Sequence, residues 1–84
     1  MEIIKTPLQG LLVIKPKIFV DDRGYFFESW SKLAFEKEGL DLNFVQDNQS
    51  LSAKSVLRGL HFQNPPFAQG KLVRVISGAV LDVA

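Results

Sequence analysis

Apolar and polar residues alternate over short runs along most of this chain, and proline, glycine and Asn/Asp clusters interrupt the runs too often for long helices. Residues 2–5 and 11–15 are β-type runs separated by Pro7 and Gly10, the pattern of edge strands or of an arm near a terminus. Such an arm is suited to pairing with another subunit. Lys15-Pro16-Lys17 leads into Ile18-Phe19-Val20, and Asp21-Asp22-Arg23-Gly24 gives a strong turn signal ahead of a strand over 25–30. A two-residue period there places Phe26 and Glu28 on one face and Phe27 on the other.

Ser31 is a good N-cap and Gly39 a good terminator, so the spacing predicts one short helix over 32–38. The run NFVQDNQS over 43–50 alternates, setting Phe44, Gln46, Asn48 and Ser50 on one face. Three amide or hydroxyl groups on one face are unusual for a core. Further strands are expected over 55–63, 71–76 and 79–83, the last two joined through Ser77-Gly78. Strict alternation puts Arg58 and His61 on opposite faces, so a shared site requires a bulge or kink at Gly59. About six to seven strands, one helix and frequent turns predict an all-β sandwich or barrel.

Length and charge narrow this picture. Eighty-four residues make one small domain whose core is marginal unless shared, while 46% hydrophobic residues, including seven Phe, exclude a disordered chain. The chain stops inside the strand expected over 79–83, without a cap or polar tail, so 1–84 is expected to be a portion of a larger domain. A net charge of +1, from ten basic and nine acidic residues spread along the chain, argues against a nucleic-acid surface. With no cysteine there is neither a disulfide framework nor thiolate chemistry. No leader pattern and no membrane-length apolar run is found, and a soluble cytoplasmic protein is expected.

Candidate chemistry gathers in 55–71, SVLRGLHFQNPPFAQGK, which holds the only histidine, an arginine, two glutamines and a lysine. His61 and Lys71 are expected on paired strands joined by the Pro65-Pro66 loop. His61 is the only histidine, the residue type suited to moving protons, and is the first candidate for a general base; the alternative is a structural histidine. Lys71 can stabilise an enolate oxygen or be a solvated edge-strand lysine. Arg23 and Arg58 suit bidentate contacts to phosphate, or surface ion pairs. Gln46, Asn48 and Gln63 can meet sugar hydroxyls or a base edge, or merely satisfy loop and edge backbone. Phe26 and Trp30 can stack on a ring or build core. One histidine without cysteine or a nearby carboxylate at ligand spacing makes no ordinary zinc or iron site.

Taken in order, DRGYFFE (22–28), FVQDN (44–48), VLRGLHFQ (56–63), Pro65-Pro66, QGKLVRV (69–75) and GAVLDVA (78–84) resemble the N-terminal half of the dTDP-4-dehydrorhamnose 3,5-epimerase family. The resemblance implies a cupin-like jelly-roll β-sandwich. It further implies a homodimer that exchanges N-terminal strands, the substrate dTDP-4-dehydro-6-deoxyglucose, and no metal or redox cofactor. On the matching positions His61 is the base and Lys71 the residue beside the keto oxygen. Arg23, Phe26 and Glu28 engage the nucleotide, in part from the partner subunit, and Gln46, Asn48 and Arg58 surround nucleotide and diphosphate, with Gln63 beside them. Phe67 departs from the His or Tyr expected before Ala68-Gln69. The tyrosine acid and the aspartate that orients the histidine belong to the family's second half, and Tyr25, the only tyrosine here, stands in a different motif. A truncated or degenerate nucleotide-sugar-binding or dimerisation module, and a single-centre sugar epimerase, are the alternatives.

Overall fold

A computed structural model describes residues 1–84. Two antiparallel hairpins are followed by one helix: β1 (Glu2–Lys5) pairs with β2 (Leu12–Lys15), β3 (Ile18–Asp21) pairs with β4 (Gly24–Phe27), and α1 spans Lys32–Lys37. Within the chain β1 and β2 form a hairpin, Ile3 opposite Ile14 and Ile4 opposite Val13. Its loop is closed by Thr6, whose hydroxyl lies 3.0 Å from the Leu8 carbonyl and 2.8 Å from that of Leu11. Gly10 takes φ +85° there, a conformation that costs a side-chain-bearing residue energy.

The Asp21–Gly24 turn joins β3 directly to β4. Asp21 and Gly24 close the β3–β4 ladder around a two-residue loop, and the Arg23 amide donates to Asp21 Oδ1 at 2.9 Å. Gly24 has φ +132°. A Cβ at Gly24 would touch nothing within 4 Å, so backbone strain alone opposes a side chain. Gly24→Ala should therefore lower stability by roughly 1–3 kcal/mol. Gly70, equally open but without a positive φ, is the control. Equal thermal shifts for the two alanine variants would remove strain as the cause.

The register sorts this hairpin into two faces, Ile18, Val20, Tyr25 and Phe27 on one and Phe19, Asp21 and Phe26 on the other. Tyr25 and Phe27 stack at 6.1 Å on the first. Both faces remain largely open, Val20 being 76% and Phe26 69% exposed.

Helix α1 forms as its ends predict. The Ala34 amide donates to Ser31 Oγ at 3.2 Å, and the C-terminal end closes with Leu40 N–H to Phe35 O and Gly39 N–H to Glu36 O, both 2.9 Å, through Gly39 at φ +82°. This is the paired closure of a Schellman motif, which satisfies two carbonyls the helix would leave open. Six residues are too few for a helix to persist alone. Packing completes it: Trp30 lies 4.5 Å from Phe35 and 4.7 Å from Phe44, ring to ring, and Phe35 is the one buried residue.

The strands expected over 43–50, 55–63, 71–76 and 79–83 do not form; this half of the chain has turns and bends but no ladder. Of 17 backbone hydrogen bonds, only Val56 N–H to Ala53 O and Phe67 N–H to Asn64 O lie beyond Leu40. Alternation makes a segment fit for a pleated, half-buried surface, but a strand exists only when its amides and carbonyls find a partner. Here Leu57 and Leu81 stay 92% exposed. By secondary structure the chain is nonetheless of all-β type, with four strands and a single short helix. No helix is long and apolar enough to cross a membrane.

Candidate functional site

The two-residue turn presents the first group of candidate residues. Arg23, at its tip, and Phe26, on the open face of β4, line a shallow hollow with Phe19, Asp21 and Tyr25. Arg23 grips Asp21 through Nε at 3.1 Å and Nη2 at 2.5 Å, both to Oδ2. The side-chain bonds, backed by the Arg23 amide, hold the Asp21 carboxyl below its ordinary range, and Asp21 in turn raises Arg23. The pair lies at the surface, with 87% of the Arg23 side chain exposed, where such bridges contribute little. The guanidinium can therefore exchange the carboxylate for an anionic ligand at small cost. Glu28 follows β4 and is exposed.

Gln46 and Asn48 are brought together as alternation predicts, Gln46 Nε2 donating to Asn48 Oδ1 at 3.2 Å. Gln46 also lines a second hollow with Trp30, Phe44, Asp47 and Arg74. Phe44, held by Trp30, is the anchor that fixes where this extended segment leaves the helix.

Arg58 turns back on its own loop. Its Nε donates to Ser52 Oγ at 2.8 Å and its Nη2 to the Leu51 carbonyl at 3.2 Å, across a turn at Lys54-Ser55. Gly59 follows with φ +133°, but no ladder forms over 55–63, so the bulge expected there has no strand to interrupt. Beyond Gly59, His61, Gln63 and Lys71 are exposed on segments flanking the Pro65-Pro66 turn. The turn forms, with Phe67 N–H to Asn64 O at 2.8 Å, but the ladder expected to pair the His61 and Lys71 strands does not. A turn closes with one local hydrogen bond, whereas the ladder needs neighbours packed on its faces. No three His, Asp or Glu side chains converge as metal ligands.

Two cations escaped the sequence reading. Lys17 Nζ sits 5.1 Å from the Phe19 ring centroid, and the Arg74 guanidinium 5.8 Å from that of Phe27. Both contacts join side chains by their positions in space. The second crosses 47 residues of chain, and the only hint in the sequence is that Arg74 shares an extended segment with Lys71.

A family profile described as dTDP-4-dehydrorhamnose 3,5-epimerase matches residues 5–84. Among curated proteins, the dTDP-4-dehydrorhamnose 3,5-epimerase of Methanothermobacter thermautotrophicus is 53% identical over 96% of this chain and 43% of its own length. The Escherichia coli enzyme of that name is 53% identical over the whole chain and 46% of its own length. That of Salmonella typhimurium is 54% identical over the same shares. The chain spans less than half the length of these relatives. No solved structure matches it. Sequence motifs, their order and the profile spanning nearly every residue agree, and the chain belongs to the dTDP-4-dehydrorhamnose 3,5-epimerase family.

Proposed function

We propose that residues 1–84 form the N-terminal portion of a cupin-like jelly-roll domain that epimerises dTDP-4-dehydro-6-deoxyglucose at C3 and C5, giving dTDP-4-dehydro-L-rhamnose. The observation that carries this reading is the unbroken family match over 5–84, with LRGLHFQ and QGKLVRV standing intact inside it. The relatives' name states the activity.

The substrate's 4-keto group accounts for the residues assigned. It acidifies the protons on both neighbouring carbons, because the electron pair left by either one moves into a C–C double bond and places its charge on O4. His61, as general base, takes the proton from C5 or C3, and the Lys71 ammonium stabilises the enolate oxygen. Return of a proton to the opposite ring face from a second acid inverts the centre and restores the ketone, so no electrons leave the substrate. Arg23, Phe26 and Glu28 hold the nucleotide, Gln46, Asn48 and Arg58 surround nucleotide and diphosphate, and Gln63 lies beside them. The easily released Asp21–Arg23 pair supports that role for Arg23.

The open faces of β3–β4 and the ladderless 41–84 support a domain completed by further strands and by a second copy. In such a homodimer the N-terminal strands exchange, and part of the nucleotide grip comes from the partner. Arg58→Ala should raise the KM for the dTDP-sugar about tenfold, the size of one charge-assisted contact. A KM within twofold of the parent would take Arg58 out of the site.

Solvent exchange tests the whole reading. The protein read from its own start codon to its own stop codon, given the substrate in heavy water, should incorporate deuterium at C3 and C5 with product visible by NMR. A folded protein that binds dTDP without exchange would make this a binding module, and exchange at one carbon alone a single-centre epimerase.

A further inference from the structure

The geometry points to Arg74 as a positioning residue that keeps the nucleotide-binding and sugar-handling segments in one frame; this rests on the epimerase reading above. Arg74 makes the only long-range polar contact of the 41–84 region that the structure records as specific. Its guanidinium lies 5.8 Å from the centroid of Phe27, within the range of a cation–π contact, and Arg74 enters neither ion pair of the chain. It also lines the hollow that holds Gln46 and Trp30.

Three segments meet at this side chain. Phe27 stands between Phe26 and Glu28, which engage the nucleotide, and points to the opposite face of β4 from Phe26. Gln46 belongs to the segment anchored by Phe44 on Trp30. Lys71, assigned to the keto oxygen, is three residues before Arg74, at most about 10 Å along the chain. Through the Phe27 contact Arg74 can hold the segment that carries Lys71 against β4. The planar guanidinium suits this task, since it can lie on a ring and still donate from its edge.

Uncoupling the two ends has a distinct signature. In the natural gene product, Arg74→Ala should lower kcat/KM for the dTDP-sugar at least about tenfold, because the sugar loses its place against Lys71. The affinity for dTDP, measured by calorimetry, should change less than twofold, since dTDP does not reach Lys71. Arg74→Lys keeps a cation over the ring without the planar fork and should recover part of the loss, whereas Arg74→Gln should recover none. Loss of dTDP affinity and kcat/KM by one common factor, or an unchanged kcat/KM, overturns the proposal. Should the parent protein fold without any turnover, the epimerase reading fails by itself. The frame is then judged by thermal melts of Arg74→Ala, Phe27→Leu and the double variant: coupled shifts uphold the contact, and additive ones overturn it.

Discussion

His61→Ala should abolish deuterium incorporation at both C3 and C5 while leaving dTDP affinity nearly unchanged. A positioned general base contributes on the order of 10²–10⁴ in rate. Lys71→Ala removes the one cation assigned to the enolate oxygen and should cost about 10²–10³ in kcat, again with little effect on dTDP. The separation follows from the proposed division of labour, in which His61 and Lys71 are assigned to the sugar and not to the nucleotide. Equal loss of dTDP affinity in both variants would overturn that division. Exchange surviving at one carbon in His61→Ala would show that another base serves that centre. His61 and Lys71 are both exposed here, on segments that lack a ladder. Their working geometry therefore depends on strands that pack around them, and the experiment belongs to the natural gene product.

Phe35→Ala should cost about 3–4 kcal/mol in denaturant unfolding of that protein, the largest stability effect expected from any of these residues. Phe35, at 3% exposure, is the one side chain removed from water, and Trp30 and Phe44 form their ring contacts in sequence around it. Truncation leaves a cavity under Trp30 and frees the helix that only this packing sustains. The consequence reaches the candidate site, because Trp30 follows Glu28 by two residues and Phe44 precedes Gln46 by two. Phe35→Leu, which keeps most of the volume, should cost less than half as much. A loss below about 1 kcal/mol for Phe35→Ala would show that this cluster is not the anchor of the nucleotide-binding segments.

The elements legible in the sequence are those closed by neighbours in the chain. Asp21-Asp22-Arg23-Gly24 carries its own turn chemistry, and the hairpin follows with the expected faces. Ser31 and Gly39 mark both ends of α1, which ends at Lys37, one residue short of the expected 38. Gly59 was singled out by parity alone and takes a positive φ. Family membership was equally legible, since ordered motifs such as LRGLHFQ carry it without reference to shape.

Elsewhere the pattern named a preference that needed a distant partner to be realised. The four runs from residue 43 onward alternate as strands do, yet their amides meet no ladder, because alternation specifies which face to bury and not what will bury it. For the same reason nothing in the sequence pairs Arg74 with Phe27, 47 residues earlier. The sequence by itself determined the turns, the caps and the family, because each is written in adjacent residues. Tertiary structure alone decided that Trp30, Phe35 and Phe44 would make the core and that Arg74 would meet β4, because those contacts join residues that only folding brings together.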